Sequence, residues 1–226
     1  MGLVLARKIL KAHQSNGFCG AVVYGLRGIG KSSYSLKVLK EVFMTLDGVD
    51  EKEAYDRALK ATKYRMLDII KFIKSHANGG RVAPSLIIDD AGVGLSRYRW
   101  WVEPKLILRL QSVLDTVRSG VSSILMTCPS PKSVLGFVKR YDDFYVKIIK
   151  VSGEWRRKAI GYQQTTLPSG KTIVYKRFED SFTCYLPNKV YKKYIKLRQS
   201  YLQDALAKLE RITKASETET LGEKSQ

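Results

Sequence analysis

The stretch Gly25-Leu26-Arg27-Gly28-Ile29-Gly30-Lys31-Ser32 constrains this chain more than any other. It fits G-x-x-x-x-G-K-[ST] at every fixed position. Residues 18–24 before it are an apolar run of the buried-strand type, and residues 32–46 after it keep a helical period through Leu36, Leu39 and Phe43. Glycines at these places permit backbone angles at which successive N–H groups turn toward one anion. A helix starting at Lys31 adds the positive end of its dipole. Lys31 would carry a point charge to the β- and γ-phosphates of a nucleotide, and the Ser32 hydroxyl would ligate Mg²⁺. The expected nucleotide-binding positions are therefore Gly25, Leu26, Arg27, Gly28, Ile29, Gly30, Lys31, Ser32 and Ser33.

A phosphate loop of this kind needs an acid-tipped strand beside it. Ser85-Leu86-Ile87-Ile88 supplies the apolar strand, and Asp89-Asp90 ends it. Asp89 is expected to hold Mg²⁺ through water, and Asp90 to orient or deprotonate the attacking water. Residues 121–127 form a third buried run, ending at Thr127, which could touch the attacking water or the γ-phosphate. Arg118, Lys139 and Arg140 are candidates for the charge that stabilises the transferring phosphoryl group, from this subunit or a neighbour. For each singly, a solvated helix charge is the competing reading.

Buried strands alternating with helices imply a mostly parallel sheet covered on both faces. A short helix is expected over 3–15, and a mainly helical stretch over 50–77 in which a short strand could hide around 62–66. Further helices are expected over 98–119 and from Ser130-Pro131 to Arg140. The periodicity changes after Tyr141: residues 144–151, 159–166 and 172–178 are β-rich, with a turn at Leu167-Pro168-Ser169-Gly170. These strands read as an antiparallel addition packed on the core, followed by an amphipathic helix over 190–212. The expected organisation is a P-loop ATPase core at 1–140, a β-rich basic extension with its helix at 141–213, and a polar disordered tail at 214–226.

Charge bears on partners. Forty Lys/Arg against 21 Asp/Glu give a formal net charge of +19, an excess that favours a polyanion such as DNA. From 139 to 198, fifteen Lys/Arg face five acids, interleaved with Tyr162, Tyr175, Phe178, Tyr185, Tyr191 and Tyr194. Trp155-Arg156-Arg157-Lys158 and Tyr191-Lys192-Lys193-Tyr194 pair charge with stackable rings; strand aromatics packed on the core, with solvated lysines between them, are the alternative. Trp100-Trp101 reads as core or as a subunit contact. Cys19, Cys128 and Cys184 lack metal-ligand spacing and are expected as reduced thiols. No apolar run reaches the about eighteen residues of a membrane span, and the start does not read as a signal peptide, so a cytoplasmic protein with no membrane partner is expected.

Asn16-Gly17-Phe18, the phosphate loop, Ile87-Ile88-Asp89-Asp90-Ala91-Gly92, the aromatic cluster near Tyr98, and Thr127-Cys128-Pro129-Ser130-Pro131 occur in this order. Together they resemble the DnaA-like P-loop ATPases encoded by spindle-shaped viruses (fuselloviruses) of thermoacidophilic archaea, over most of residues 8 to 205. The resemblance implies an AAA-type fold that binds ATP with Mg²⁺, with Lys31, Ser32, Asp89, Asp90 and Thr127 on the Walker A, Walker B and sensor-type positions. It further implies DNA and replication proteins as partners, and a homo-oligomer such as a ring. The chain departs from that pattern after Arg140, where strands stand in place of a helical lid. In this it is nearer to DNA-pumping ATPases of the Zot and FtsK kind. A nucleotide-gated binding protein with little turnover and a small-molecule kinase are the remaining readings.

Overall fold

The sheet grows outward from the strand that feeds the phosphate loop, β1 (Cys19–Tyr24). In the computed structural model, which describes residues 2–91, 117–133, 144–167 and 169–223, seven strands form one sheet in the order β2-β3-β4-β1-β5-β6-β7. The others are β2 (Thr62–Lys63), β3 (Leu86–Ile88), β4 (Ser123–Cys128), β5 (Phe144–Lys150), β6 (Arg156–Thr166) and β7 (Thr172–Thr183). β2, β3, β4, β1 and β5 are parallel, and β6 and β7 continue antiparallel. This is the mostly parallel, helix-flanked architecture of a P-loop NTPase with an antiparallel addition and a final helix.

Parallel strands buried on both faces explain the continuous apolar runs. Val22, Leu86, Ile88, Ile124, Met126 and Cys128 share one face with Ile69 and Ile73 of α4 (Met66–Asn78). The alternate positions, Ala21, Val23, Ile87 and Leu125, are also fully or almost fully buried. They belong to the face that α2 (Lys31–Asp47) packs against through β1 and β4. α1 (Val4–Gln14) and α3 (Glu51–Lys60) flank α2. Asp50 caps α3, its side chain accepting from the Glu53 N–H at 2.7 Å, as a helix entry with acids in its first turn should.

Three expectations change. The strand at 144–151 was read as the first of an antiparallel addition, but β5 pairs parallel with β1, Val22 opposite Tyr145 and Tyr24 opposite Lys147. The parallel part thus ends at Lys150 rather than Arg140. The sequence hides this direction because the exposed Lys147 and Lys150 break the apolar run that a doubly covered strand shows. Next, β6 and β7 are longer than read, because Asp180 and Phe182 carry the inward alternation of β7 past Phe178. Finally, the last helix, α5 (Asn188–Glu223), continues through 214–223, expected as tail; that stretch holds no proline and its first glycine is Gly222. The hidden strand at 62–66 is present as β2, two residues long. The helix expected over 98–119 shows only its end, a 3₁₀ turn at Val117–Ser119; its remainder, with Tyr98, Trp100 and Trp101, lies outside the described residues.

The chain divides into two units, Met1–Leu186 and Pro187–Gln226. The first holds the whole sheet, and the second is α5. Within the first, the addition is fastened by specific chemistry. The Phe178 ring lies on Gly161, where a Cβ would stand 2.1 Å from it, and meets Phe144 edge-on at 5.5 Å. Buried Asp180 accepts from the Val4 N–H at 2.7 Å, the Leu5 N–H at 3.3 Å and the Tyr34 hydroxyl at 2.7 Å. α1 has no acid in its first turn and no side-chain cap from Leu3, so a carboxylate of β7 satisfies its free N–H groups and its dipole.

Candidate functional site

Five parallel strands deliver their C-terminal ends to one edge of the sheet, and the expected site residues gather there. β1 ends at Tyr24 and opens into Gly25, Gly28 and Gly30, whose φ values are 147°, 74° and 103°. Two of these glycines are also required by space. A Cβ on Gly25 would stand 2.9 Å from the Ile148 carbonyl oxygen, and one on Gly30 2.7 Å from the Cys184 Cβ. Gly30 is the N-cap of α2 and offers no side chain to cap it, so the first N–H groups of α2 are directed into the loop. Lys31, 8% exposed, folds its ammonium over the loop, donating to the carbonyls of Gly25 at 3.1 Å and Leu26 at 2.9 Å. The tip itself, Leu26, Arg27 and Gly28, is exposed, while Ser32 and Ser33 are half-buried in the first turn of α2.

Ser32 donates to Asp89 Oδ1 at 2.8 Å. Asp89 is 1% exposed and receives two further hydroxyls: Thr127 on Oδ1 at 2.5 Å and Tyr64 on Oδ2 at 2.8 Å. Thr127 Oγ1 in turn accepts from the Asp90 N–H at 2.9 Å. Asp90 holds φ 50°, an uncommon setting for a residue with a side chain. The ends of β3 and β4 are thus locked together, with one carboxylate fixed beside the serine of the loop. Paired Ser and Asp oxygens at a helix N-terminus are hard donors of the kind Mg²⁺ takes when phosphates and waters complete its shell. Among the described residues no three His, Cys, Asp or Glu side chains gather into a self-sufficient metal cage.

Most of the sequence-derived site is brought together: residues 25–33, Asp89, Asp90 and Thr127. A hydroxyl has one proton, and that of Thr127 is directed to Asp89, so Thr127 acts on the carboxylate rather than straight on a phosphate. Arg118 is not brought in. It is exposed in the 3₁₀ turn that precedes β4, at the end of the sheet away from the loop, and could meet a nucleotide only in a neighbouring subunit. Lys139 and Arg140 lie outside the described residues.

Two contributors were not anticipated. Tyr64 follows β2 and reaches Asp89 from the side opposite Ser32; only the pairing of β2 with β3 (Lys63 opposite Ile88) puts it there. Arg157, the second residue of β6, is 8% exposed and donates from Nε to the Ile29 carbonyl at 3.1 Å. Its Nη1 donates to the carbonyls of Glu154 at 2.9 Å and Arg156 at 2.8 Å. The only signal in the sequence was its place in the basic run 156–158. Close by, Lys37 of α2 donates to Thr183 at 3.1 Å, and burial followed by the adjacent Lys40 lowers its pKa. Burial, then Tyr162 and Cys128, raises that of Tyr24.

No family model matches the chain. It is 31% identical over 220 residues to Uncharacterized protein B-251 of Sulfolobus spindle-shape virus 1, covering 93% of this chain and 85% of that protein. Uncharacterized protein ORF286 of Acidianus two-tailed virus is 27% identical over 169 residues, covering 73% of this chain and 55% of that protein. Among solved structures, a KaiC-like protein of Pyrococcus horikoshii overlaps at 16% identity with a TM-score of 0.34, covering 70% of this chain and 91% of that one. The N-terminal domain of zonular occludens toxin from Neisseria meningitidis gives 16% and 0.38, covering 77% and 97%. The RadB recombinase gives 13% and 0.41, covering 75% and 93%. The acid-tipped strand β3 was expected beside the strand of the phosphate loop, but β4 lies between β3 and β1 and carries Thr127 into the gap. With a phosphate loop, an acid-tipped strand one place removed and the sheet order that brings their ends together, the chain is a P-loop NTPase in fold, and it belongs to the family of the spindle-shape virus protein B-251.

Proposed function

We propose that the protein binds ATP with Mg²⁺, hydrolyses it, and couples this to DNA in viral or plasmid replication, as an initiator or helicase loader of the DnaA-like AAA type. One observation carries the catalytic part: Ser32, Asp89 and Thr127 are joined by hydrogen bonds at the mouth of the phosphate loop. In this reading the Gly25–Ser33 backbone and Lys31 bind the phosphates, and Ser32 and Asp89 hold the metal. Mg²⁺, when bound, draws charge from the β- and γ-oxygens. Asp90, adjacent to the metal-holding acid, orients the attacking water and takes its proton. The basic residues of β6, β7 and α5, interleaved with rings, support DNA as the polyanion, and a viral relative supports a genome-directed role. Arg118 and Arg140 are assigned to a neighbour's nucleotide, within a homo-oligomer.

ATP hydrolysis measured with and without DNA tests the reading. Wild type is expected to turn over faster with DNA, Lys31→Ala to lose nearly all turnover, and Asp90→Ala to bind ATP but hydrolyse it at least about a hundredfold more slowly. Turnover that survives Lys31→Ala unaltered overturns it. Binding function intact in Asp90→Ala but abolished in Lys31→Ala would instead mark a nucleotide-gated binding protein. A second reading, a DNA packaging or transfer motor, is favoured by the strands that replace a helical lid after β5. It requires stable rings and directional movement on duplex DNA, which a loader need not show.

A further inference from the structure

The β6–β7 hairpin runs past its neighbour. β5 pairs with β6 only as far as Phe144 opposite Gln163. Beyond that point Gln164, Thr165 and Thr166 pair with Val174, Ile173 and Thr172 alone, a two-stranded arm at whose end the Leu167 N–H donates to the Lys171 carbonyl at 2.9 Å. Because β5 is parallel to β1, the arm leaves the sheet at the end away from the phosphate loop. A β-bulge lies at its root. Gly161 faces Phe178, the next residue Tyr162 faces Lys176, and Arg177 is the extra residue; such bulges bend a strand and re-aim its side chains.

The composition of the arm is one-sided. No Asp or Glu occurs between Glu154 and Glu179, while Lys171, Lys176 and Arg177 lie on the arm or at its root. All three are exposed. Val174 is 60% and Tyr175 42% exposed. The Arg177 guanidinium sits 5.1 Å from the centre of the Tyr175 ring and donates from Nε to Gln163 Oε1 at 3.1 Å. Gln163 is the cross-strand partner of Tyr175. The Gln163 amide thereby holds a cation over the exposed aromatic ring, with lysines along the same ribbon.

We propose that this arm is a contact surface for single-stranded nucleic acid, with a base stacking on Tyr175 and phosphates meeting Lys171, Lys176 and Arg177. Single strands are favoured because a base must leave its own stack to lie on a protein ring. The Lys176–Glu179 pair at 2.7 Å is no obstacle, since exposed pairs contribute little and phosphate competes for the ammonium. The inference rests on the DNA-associated reading above and names the element responsible.

The test is fluorescence anisotropy of a labelled oligothymidylate and of a duplex, over a salt series, with the full chain. Tyr175→Ala is expected to weaken single-strand binding about tenfold or more, and Tyr175→Phe, which keeps the ring, to retain it. Lys171→Ala is expected to lower the slope of log K against log salt by about 0.7. All three variants should hydrolyse ATP in the absence of DNA as wild type does, which also reports that they fold. Wild-type binding with every arm variant holding full affinity overturns the arm while leaving DNA association intact. No binding of either DNA by wild type overturns the DNA-associated reading itself. Displacement by poly-L-glutamate as effective as by the oligonucleotide overturns nucleic acid in favour of an acidic protein.

Discussion

Arg157 lies 128 residues beyond Ile29 in sequence, yet its guanidinium rests on the outer side of the phosphate loop. In a planar trans peptide the Gly30 N–H points opposite to the Ile29 carbonyl. A cation on that carbonyl therefore fixes and polarises the N–H on the other side, which is the side a phosphate would use. Charge-assisted hydrogen bonds of this kind contribute about 1.5–3 kcal/mol, or roughly tenfold to a hundredfold in affinity. Arg157→Ala is expected to weaken binding of a fluorescent ATP analogue about tenfold, and Arg157→Lys to restore part of that loss. Equal weakening by both, with a lowered Tm in each, would show that the side chain only supports the fold. The same scale shows the reach of sequence reading. The positions 25–33, Asp89 and Asp90 were legible because one motif with short spacing encodes them. Tyr64 and Arg157 were not, because neither carries a motif and each reaches the site by strand pairing.

At the scale of elements, buried Asp180 ties the last strand of the sheet to two helices. It spans the start of α1, the first turns of α2 and the middle of β7 through Val4, Leu5 and Tyr34. Burial, then Asp180, pushes the Tyr34 hydroxyl well above its usual pKa. Unfolded tyrosine ionises near pH 10, so the folded chain keeps a proton that the unfolded chain gives up. The stability this contributes is complete below about pH 10 and is lost as the pH rises toward the folded value. Tm should therefore fall from about pH 10 upward, and Tyr34→Phe should flatten that fall. At neutral pH the same change should cost about 1 kcal/mol for the lost hydrogen bond, or about 2–4 °C in Tm. An identical alkaline slope in Tyr34→Phe would assign the effect elsewhere, with Tyr55, raised to about 12 chiefly by burial, the next group to change. At this scale the strand and helix types were largely legible. The direction of β5 was not, since a half-exposed strand reads the same whether its neighbour runs with it or against it.

Across the whole molecule, a net charge of +19 sets the terms for any polyanion. If DNA binds through several phosphates, log K should fall linearly with log salt, by about 0.7 per neutralised phosphate on single strands and about 0.9 on duplex. ATP turnover in the absence of DNA should stay nearly flat over the same series, because Lys31 and Asp89 are buried and screened little. Parallel loss of DNA-free turnover and DNA binding with salt would mean that salt acts on the fold or the assembly. The sequence by itself determined the phosphate loop, the acid-tipped strand and the basic surplus, because each is a property of residue type and local spacing. Only the tertiary structure decided what surrounds them. It placed β5 beside β1, brought Arg157 and Tyr64 to the loop and its carboxylate, turned Thr127 onto Asp89, and left Arg118 at the far end of the sheet. Those outcomes depend on strand order and direction, which are settled by burial summed over the whole sheet and are written in no single stretch of the chain.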